Sequence, residues 1–260
     1  DINGSGRDYL LTAWYRRSFQ FGDGSEFAAS IGLVDATDYI DDNAYSTDEY
    51  TQFMNQGLVD GPNTFLPSYE PGAALAWTRG PWSASAVYMD VGDDGEGNAY
   101  RLLAGELGYR FGSSLGEGNY RVIAGRTSDD LPAPDGTGGE NRTFLIFSLD
   151  QEFGQSLGGF LRIGWQNKDA AVDYEAVYSG GLNIGGEHWG REEDTIGAGY
   201  AYFDGGSNDI VHTHIAELYY RFAANDQIAL TGDVQYMDDR YKAGGGPRGW
   251  VFGMRATVAF

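Results

Sequence analysis

The stretch Trp250-Val-Phe-Gly-Met-Arg-Ala-Thr-Val-Ala-Phe260 decides the fold. Trp250, Phe252, Met254, Ala256, Val258 and Phe260 take every second position, with Val251, Gly253, Arg255, Thr257 and Ala259 between them. Successive strand side chains point to opposite faces, so one face here wants hydrocarbon and the other tolerates water. The run before it repeats the pattern, with Ile228, Leu230, Val234 and Tyr236 set against Thr231, Asp233 and Gln235. So does the one before that, with Leu218, Tyr220 and Phe222 set against Glu217, Tyr219 and Arg221.

Thirteen such runs are expected, near 8–21, 26–35, 72–79, 81–90, 100–112, 119–128, 142–154, 159–167, 174–185, 194–203, 213–224, 227–238 and 249–260. A soluble β-sandwich also alternates, so periodicity alone does not choose between the two. Connection lengths favour a barrel. Tight junctions at 22–25, 79–81, 155–158 and 224–226 alternate with long stretches at 36–71, 128–141 and 239–248, while 113–118 and 186–193 are intermediate. Short turns on one rim and long loops on the other describe an all-β, antiparallel transmembrane β-barrel forming a single domain over 1–260. Tracing back from Phe260, the first run descends like the last. A closed bacterial barrel has an even strand count, so parity predicts at least one upward strand before Asp1.

Composition agrees. The 260 residues hold 40 glycines, 18 tyrosines, 14 phenylalanines and 6 tryptophans but no cysteine, which excludes disulfides and thiol chemistry. A net charge of −21 repels nucleic acid. No window reaches the roughly 18 to 20 apolar residues of a spanning helix, so the partners expected are the lipid bilayer, lipopolysaccharide and small hydrophilic solutes. Tyr9, Trp14, Tyr15, Trp77, Trp82, Tyr88, Tyr109, Tyr120, Trp165, Tyr200, Tyr202, Tyr220, Tyr236 and Trp250 fall mostly near run ends, as girdle residues do.

Strict alternation turns Arg16, Glu106, Arg110, Arg121, Asp150, Glu152, Arg162, Glu175, Glu217, Arg221, Asp233, Gln235 and Arg255 inward, where they are expected to line a watery pore. Facing lipid, each cation would cost roughly 2–4 kcal/mol at the midplane. Asn183 and Tyr219 add neutral hydrogen-bonding groups. The segment 36–71 carries Asp38, Asp41, Asp42, Asp48, Glu49, Asp60 and Glu70 without Lys or Arg. It either folds into the barrel and biases it against anions or remains a solvated outer loop, and Asp48–Gly57 is expected to form a short helix. No calcium-loop spacing is present among these carboxylates. His212, Thr213 and His214 lie beside Asp209, and His188 stands alone; without a serine motif or third ligand they predict neither catalysis nor a metal site. Gly244-Gly245-Gly246 lacks the Lys-Ser/Thr of a phosphate cradle and reads as a loop. No cofactor is expected.

A terminal Phe after alternating apolar residues is similar to the signature by which outer-membrane barrels are recognised for assembly. Arg191-Glu-Glu-Asp-Thr-Ile-Gly-Ala-Gly-Tyr-Ala-Tyr202, Ala216-Glu-Leu-Tyr-Tyr-Arg-Phe222, Ile228–Tyr236 and Val251–Arg255 resemble the carbohydrate-selective porins of the OprB type. Ile31–Asp35, Gln52–Asn55 and Pro67–Ala73 resemble the same family's middle region. The resemblance implies that these runs are the C-terminal part of a sixteen-stranded barrel, a passive sugar channel, and a possible homotrimer. Three readings stay open beside it: a general or cation-biased porin, a barrel sheathing a partner, and a soluble binding domain.

Overall fold

A computed structural model describes residues 10–59, 66–92 and 97–259. Thirteen antiparallel strands form one sheet: β1 (Ala13–Gln20), β2 (Glu26–Val34), β3 (Glu70–Arg79), β4 (Trp82–Val91), β5 (Tyr100–Ser113), β6 (Gly116–Thr127), β9 (Thr143–Glu152), β10 (Leu157–Gln166), β11 (Tyr174–Gly185), β12 (Thr195–Gly205), β13 (Ile210–Asn225), β14 (Ile228–Tyr241) and β15 (Arg248–Val258). A minor hairpin, β7 (Leu131–Pro132) with β8 (Gly139–Glu140), sits in the loop between β6 and β9. Each strand of the sheet pairs with its neighbours in sequence, so β1 and β15 run in the same direction and, among the described residues, are the edges of the sheet. The expected closing signature at Phe260 and any strand before Leu10 lie outside the described residues.

Turn chemistry fixes the short rim. Asp23 accepts hydrogen bonds from Ser25 N and Oγ at 3.0 and 2.6 Å, closing β1 onto β2 around Gly24, whose φ of 79° suits glycine. At the β13–β14 turn, Asn225 accepts from the N–H groups of Gln227 and Ile228, both at 2.9 Å. The stretch 113–118 resolves into a two-residue turn at 114–115. The exception is 186–194, a long connection on the short rim containing a 3-10 turn at Gly186–Trp189, opposite a short one at 206–209. Arg191 forks onto Asp194 at 2.6 and 3.1 Å there, and Asp194 also accepts from the Tyr220 hydroxyl and from Ala223 N. The Arg191 fork, then Tyr220 and Ala223, outweigh burial and hold the Asp194 carboxyl well below the usual carboxylate range.

The convex face carries the apolar set of each strand: Leu103, Leu107, Leu145, Leu161, Leu182, Leu218, Leu230 and Met254 are all exposed. Rings gather toward both rims. Trp165 meets Phe147 and Tyr178, Tyr178 meets Tyr202, and Tyr202 meets His214, with centroids 5.1–6.2 Å apart on the long-loop side. Trp82–Tyr109 and Phe111–Tyr120 do the same on the short-turn side. Two such bands around an apolar belt mark the water boundaries of a barrel wall.

Candidate functional site

The concave face is not one uniform wet surface. The described residues of the connection 35–69, namely 35–59 and 66–69, turn inward and lie against it, burying Ile40, Phe53, Leu58 and Val59 on Val87, Met89, Leu102, Ile123, Phe144, Ile146, Phe160, Val177, Phe203 and Ile215. All of these wall residues except Phe160 sit in the long-loop halves of their strands, so most of that half of the interior is dry. The short helix lies at Gln56–Val59 rather than over Asp48–Gly57. Asp48 instead closes a turn, accepting from Gln52 N at 2.9 Å.

Glycine makes the seat. Phe53 rests against Gly181 and Gly199, where an added Cβ would come within 3.1 and 2.8 Å of its ring. Likewise a Cβ at Gly158 would collide with Tyr45, and one at Gly197 with Tyr219. Interiors pack to crystal-like density, so these hollows specify which side chains enter.

Among and beside these apolar contacts, the charged residues of the wall grip the segment's backbone. Arg162 is fully buried and binds Asp41 through Nε at 2.5 Å, Ser46 Oγ at 2.6 Å, the Ser46 carbonyl at 2.5 Å, and the carbonyls of Leu58 and Val59 at 3.3 and 3.2 Å. A buried guanidinium persists only when its donors and charge are matched in this way. Arg121 pairs with Asp150 at 2.6 Å and donates to the Asp42 carbonyl, while Glu106 accepts from Asp41 N at 2.7 Å. Glu217 accepts from Met54 N and Asn55 N at 2.6 and 2.9 Å, and Gln235 accepts from Asn55 Nδ2 at 2.8 Å. Arg255 donates to the carbonyls of Glu49 and, at 2.8 Å, of Gln52.

The inward set expected from alternation therefore divides. Asp150, Arg162, Glu217, Asp233 and Gln235 lie beneath the segment and are buried, so they face protein rather than water; Arg121 is buried too but keeps one edge on a cavity. Arg16 and Arg110 stay exposed and line a cavity of about 580 Å³ with Asp38, Asp42, Glu106 and Arg121. Glu152 and Arg221 line a second, of about 680 Å³, with Tyr45, Asn183 and Tyr219. Glu175 departs from strict alternation because a bulge falls between Tyr174 and Ala176, and its carboxylate pairs with Lys168 at the long-loop rim. On its other side the segment presents Asp35, Thr37, Asp48, Glu49, Tyr50 and Tyr69 around a cleft of about 260 Å³.

His212 and His214 meet edge to face on the convex face, with centroids 4.9 Å apart, and His214 Nδ1 bonds the Tyr200 hydroxyl at 2.6 Å. They belong to the outer aromatic band, across the wall from the segment. Sequence reasoning missed the contact of Ser156 Oγ with His188 Nε2, 2.8 Å apart at the short rim, because the two lie on different connections.

The model of the carbohydrate-selective porin family OprB matches residues 1–260. An uncharacterized protein of Aquifex aeolicus (strain VF5) is 29% identical over 253 residues, covering 92% of this chain and 67% of its own. Among solved structures, the high-pH form of Pseudomonas putida OprB superposes with a TM-score of 0.73 at 16% identity, over 96% of this chain and 73% of that one. An anion-selective porin from Comamonas acidovorans gives 0.54 at 14% identity, over 95% and 88%. These structural likenesses show the fold, an antiparallel porin wall, and the family is one of channels rather than enzymes. With its segment seated inside such a wall, this chain belongs to the OprB family of carbohydrate-selective porins.

Proposed function

We propose that the chain forms most of the wall of a passive channel in a bacterial outer membrane, and that segment 35–69 is its fixed constriction. One observation carries this reading: Arg162, at 0% exposure, spends its whole guanidinium on Asp41, Ser46, Leu58 and Val59 of that segment. A loop held by a buried cation is part of the scaffold. Solutes then pass along the segment's outer side, between its acidic surface and the exposed Arg16 and Arg110. Sheet edges cannot remain unpaired in hydrocarbon. On this reading β1 and β15 join through further strands, in keeping with the longer relatives.

Small hydrophilic solutes, carbohydrates among them, suit the lining. Tyr50 and Tyr69 offer ring faces, and Thr37, Gln56 and the carboxylates offer hydrogen bonds. The same surface favours a cation bias, because the segment bears no Lys or Arg and a charged constriction selects by the field it sets. The convex aromatic bands support a wall that faces lipid, and on this reading lipopolysaccharide lies at the long-loop side. Planar-bilayer recordings test this: current blocked stepwise by oligosaccharides supports carbohydrate passage. A zero-current potential in a salt gradient reads the ionic bias. Absence of any conductance would overturn the channel reading.

A further inference from the structure

The cavities at Arg221 and at Arg16 differ in how their charges are matched. In the first, of about 680 Å³, Glu152 accepts from Glu117 N at 2.9 Å and Arg221 donates to the Glu193 carbonyl at 3.2 Å, which leaves a lining of mainly neutral polar groups. In the second, of about 580 Å³, Arg121 is matched likewise: it meets Asp150 at 2.6 Å and Glu106 at 4.0 Å and donates to the Asp42 carbonyl. Four further charges line it unmatched. Arg16 on β1 and Arg110 on β5 belong to the wall, Asp38 and Asp42 to the seated segment. All four are exposed, and among the described residues none of their side chains has an ion pair or a hydrogen bond.

Other groups hold these charges in place. Asp38 ends the 3-10 turn Ala36–Asp38, which Asp35 caps by accepting from Thr37 N at 2.9 Å. Asp42 follows Asp41, whose φ of 63° and whose bonds to Glu106 and Arg162 anchor it on the wall, so Asp41 is buried while Asp42 beside it is exposed. On the wall, Arg110 N donates to the Pro81 carbonyl at 2.7 Å, and β1 holds Arg16 opposite Ser30 of β2. Backbone fixed in this way need not be ordered again when a solute arrives.

A solute with a single charge gains at one side of such a cavity and is repelled at the other, and a neutral polyol gains hydrogen bonds alone. A solute with a carboxylate at one end and an ammonium at the other gains at both, because guanidinium groups match a carboxylate and carboxylates accept from an ammonium. Three cations and three carboxyl groups line the cavity in all, so it lacks the acidic bias of the segment's outer cleft. Its volume is that of a small-molecule pocket.

We propose that this cavity takes doubly charged, dipolar solutes, free amino acids and short peptides, with the carboxylate on Arg16 and Arg110 and the ammonium on Asp38 and Asp42. The site stands on the cavity itself, whereas passage of its solutes rests on the channel reading above.

Ligand-observed NMR on the detergent-solubilised full protein tests the site with probes of one skeleton: glycylglycine, its N-acetyl derivative, which keeps only the negative end, and its amide, which keeps only the positive end. Glycylglycine is expected to bind several-fold more tightly than either derivative. Arg110→Gln should cut its binding several-fold and leave the amide the better of the two derivatives. Asp42→Asn should cut it too but leave the N-acetyl derivative the better. A residue that only kept the cavity's shape would not shift the derivatives in opposite senses. Glycylglycine binding no tighter than its derivatives, or the same ranking of derivatives in both variants, overturns the site. In planar bilayers, glycylglycine should block the wild-type current at several-fold lower concentration than the derivatives do. Selective binding without that block overturns the cavity's place on the permeation path. Selective binding by a protein that never conducts supports the site and refutes the channel.

Discussion

The wall under the segment and the wall at the sheet edges obey the same alternation yet meet different surroundings. On β10 the inward Phe160 and Arg162 are buried against Phe53 and Asp41. On β1 every residue is exposed, the inward Arg16 included. Alternation assigns a side chain to a face, but only what lies over that face decides whether it meets water. Glycine marks the difference. Gly158, Gly181, Gly197 and Gly199 open hollows where rings enter, whereas a Cβ at Gly232, on the convex side of β14, would meet nothing within 4 Å.

The largest effect should come from breaking the covered side. Arg162→Met leaves Asp41 buried without its partner, an imbalance that costs about 3–5 kcal/mol. Denaturant unfolding should show it, together with a raised conductance. Second, Gly181→Val forces a side chain into the space held by Phe53 and Phe160, with a penalty of roughly 1–3 kcal/mol. Gly232→Ala is the matched control and should stay within about 0.5 kcal/mol of wild type. A third test sharpens the exposed side: Glu49→Gln should reduce the cation bias while leaving the unfolding midpoint nearly unchanged, as substitutions of exposed charges do. The smallest effect concerns the short rim. Asp194 titrates below its unfolded value, so its contribution is complete above pH ~3.9 and is lost only as pH falls through the lower folded value. Hydrogen exchange at 186–194 should therefore stay protected in mild acid, and Asp194→Asn should lose that protection at neutral pH.

Strand order, turn positions and the lipid-facing belt were legible because period-two alternation persists along most runs. The seated segment was not, since an acidic stretch such as 36–71 reads equally as a solvated loop. A signal was present nonetheless. In Phe144-Leu145-Ile146-Phe147, and again in Leu102-Leu103-Ala104, alternation gives way to continuous apolar residues, the pattern of a strand covered on both faces. One face of those stretches meets lipid and the other meets Ile40, Phe53 and Leu58. The partners of Arg162 could not be read, because Asp41 lies 121 residues away and no local spacing joins them. Glu175 was misplaced for a smaller reason: one bulged residue shifts the parity of a strand end.

The central claim is that segment 35–69 is a seated constriction of a channel. Replacing residues 37–66 by a short glycine-serine linker and recording single-channel conductance in planar bilayers addresses it directly. A several-fold rise in conductance, with loss of sugar block, is the result predicted. Conductance equal to that of the wild type would contradict it, because a segment lying outside the permeation path could be removed without effect.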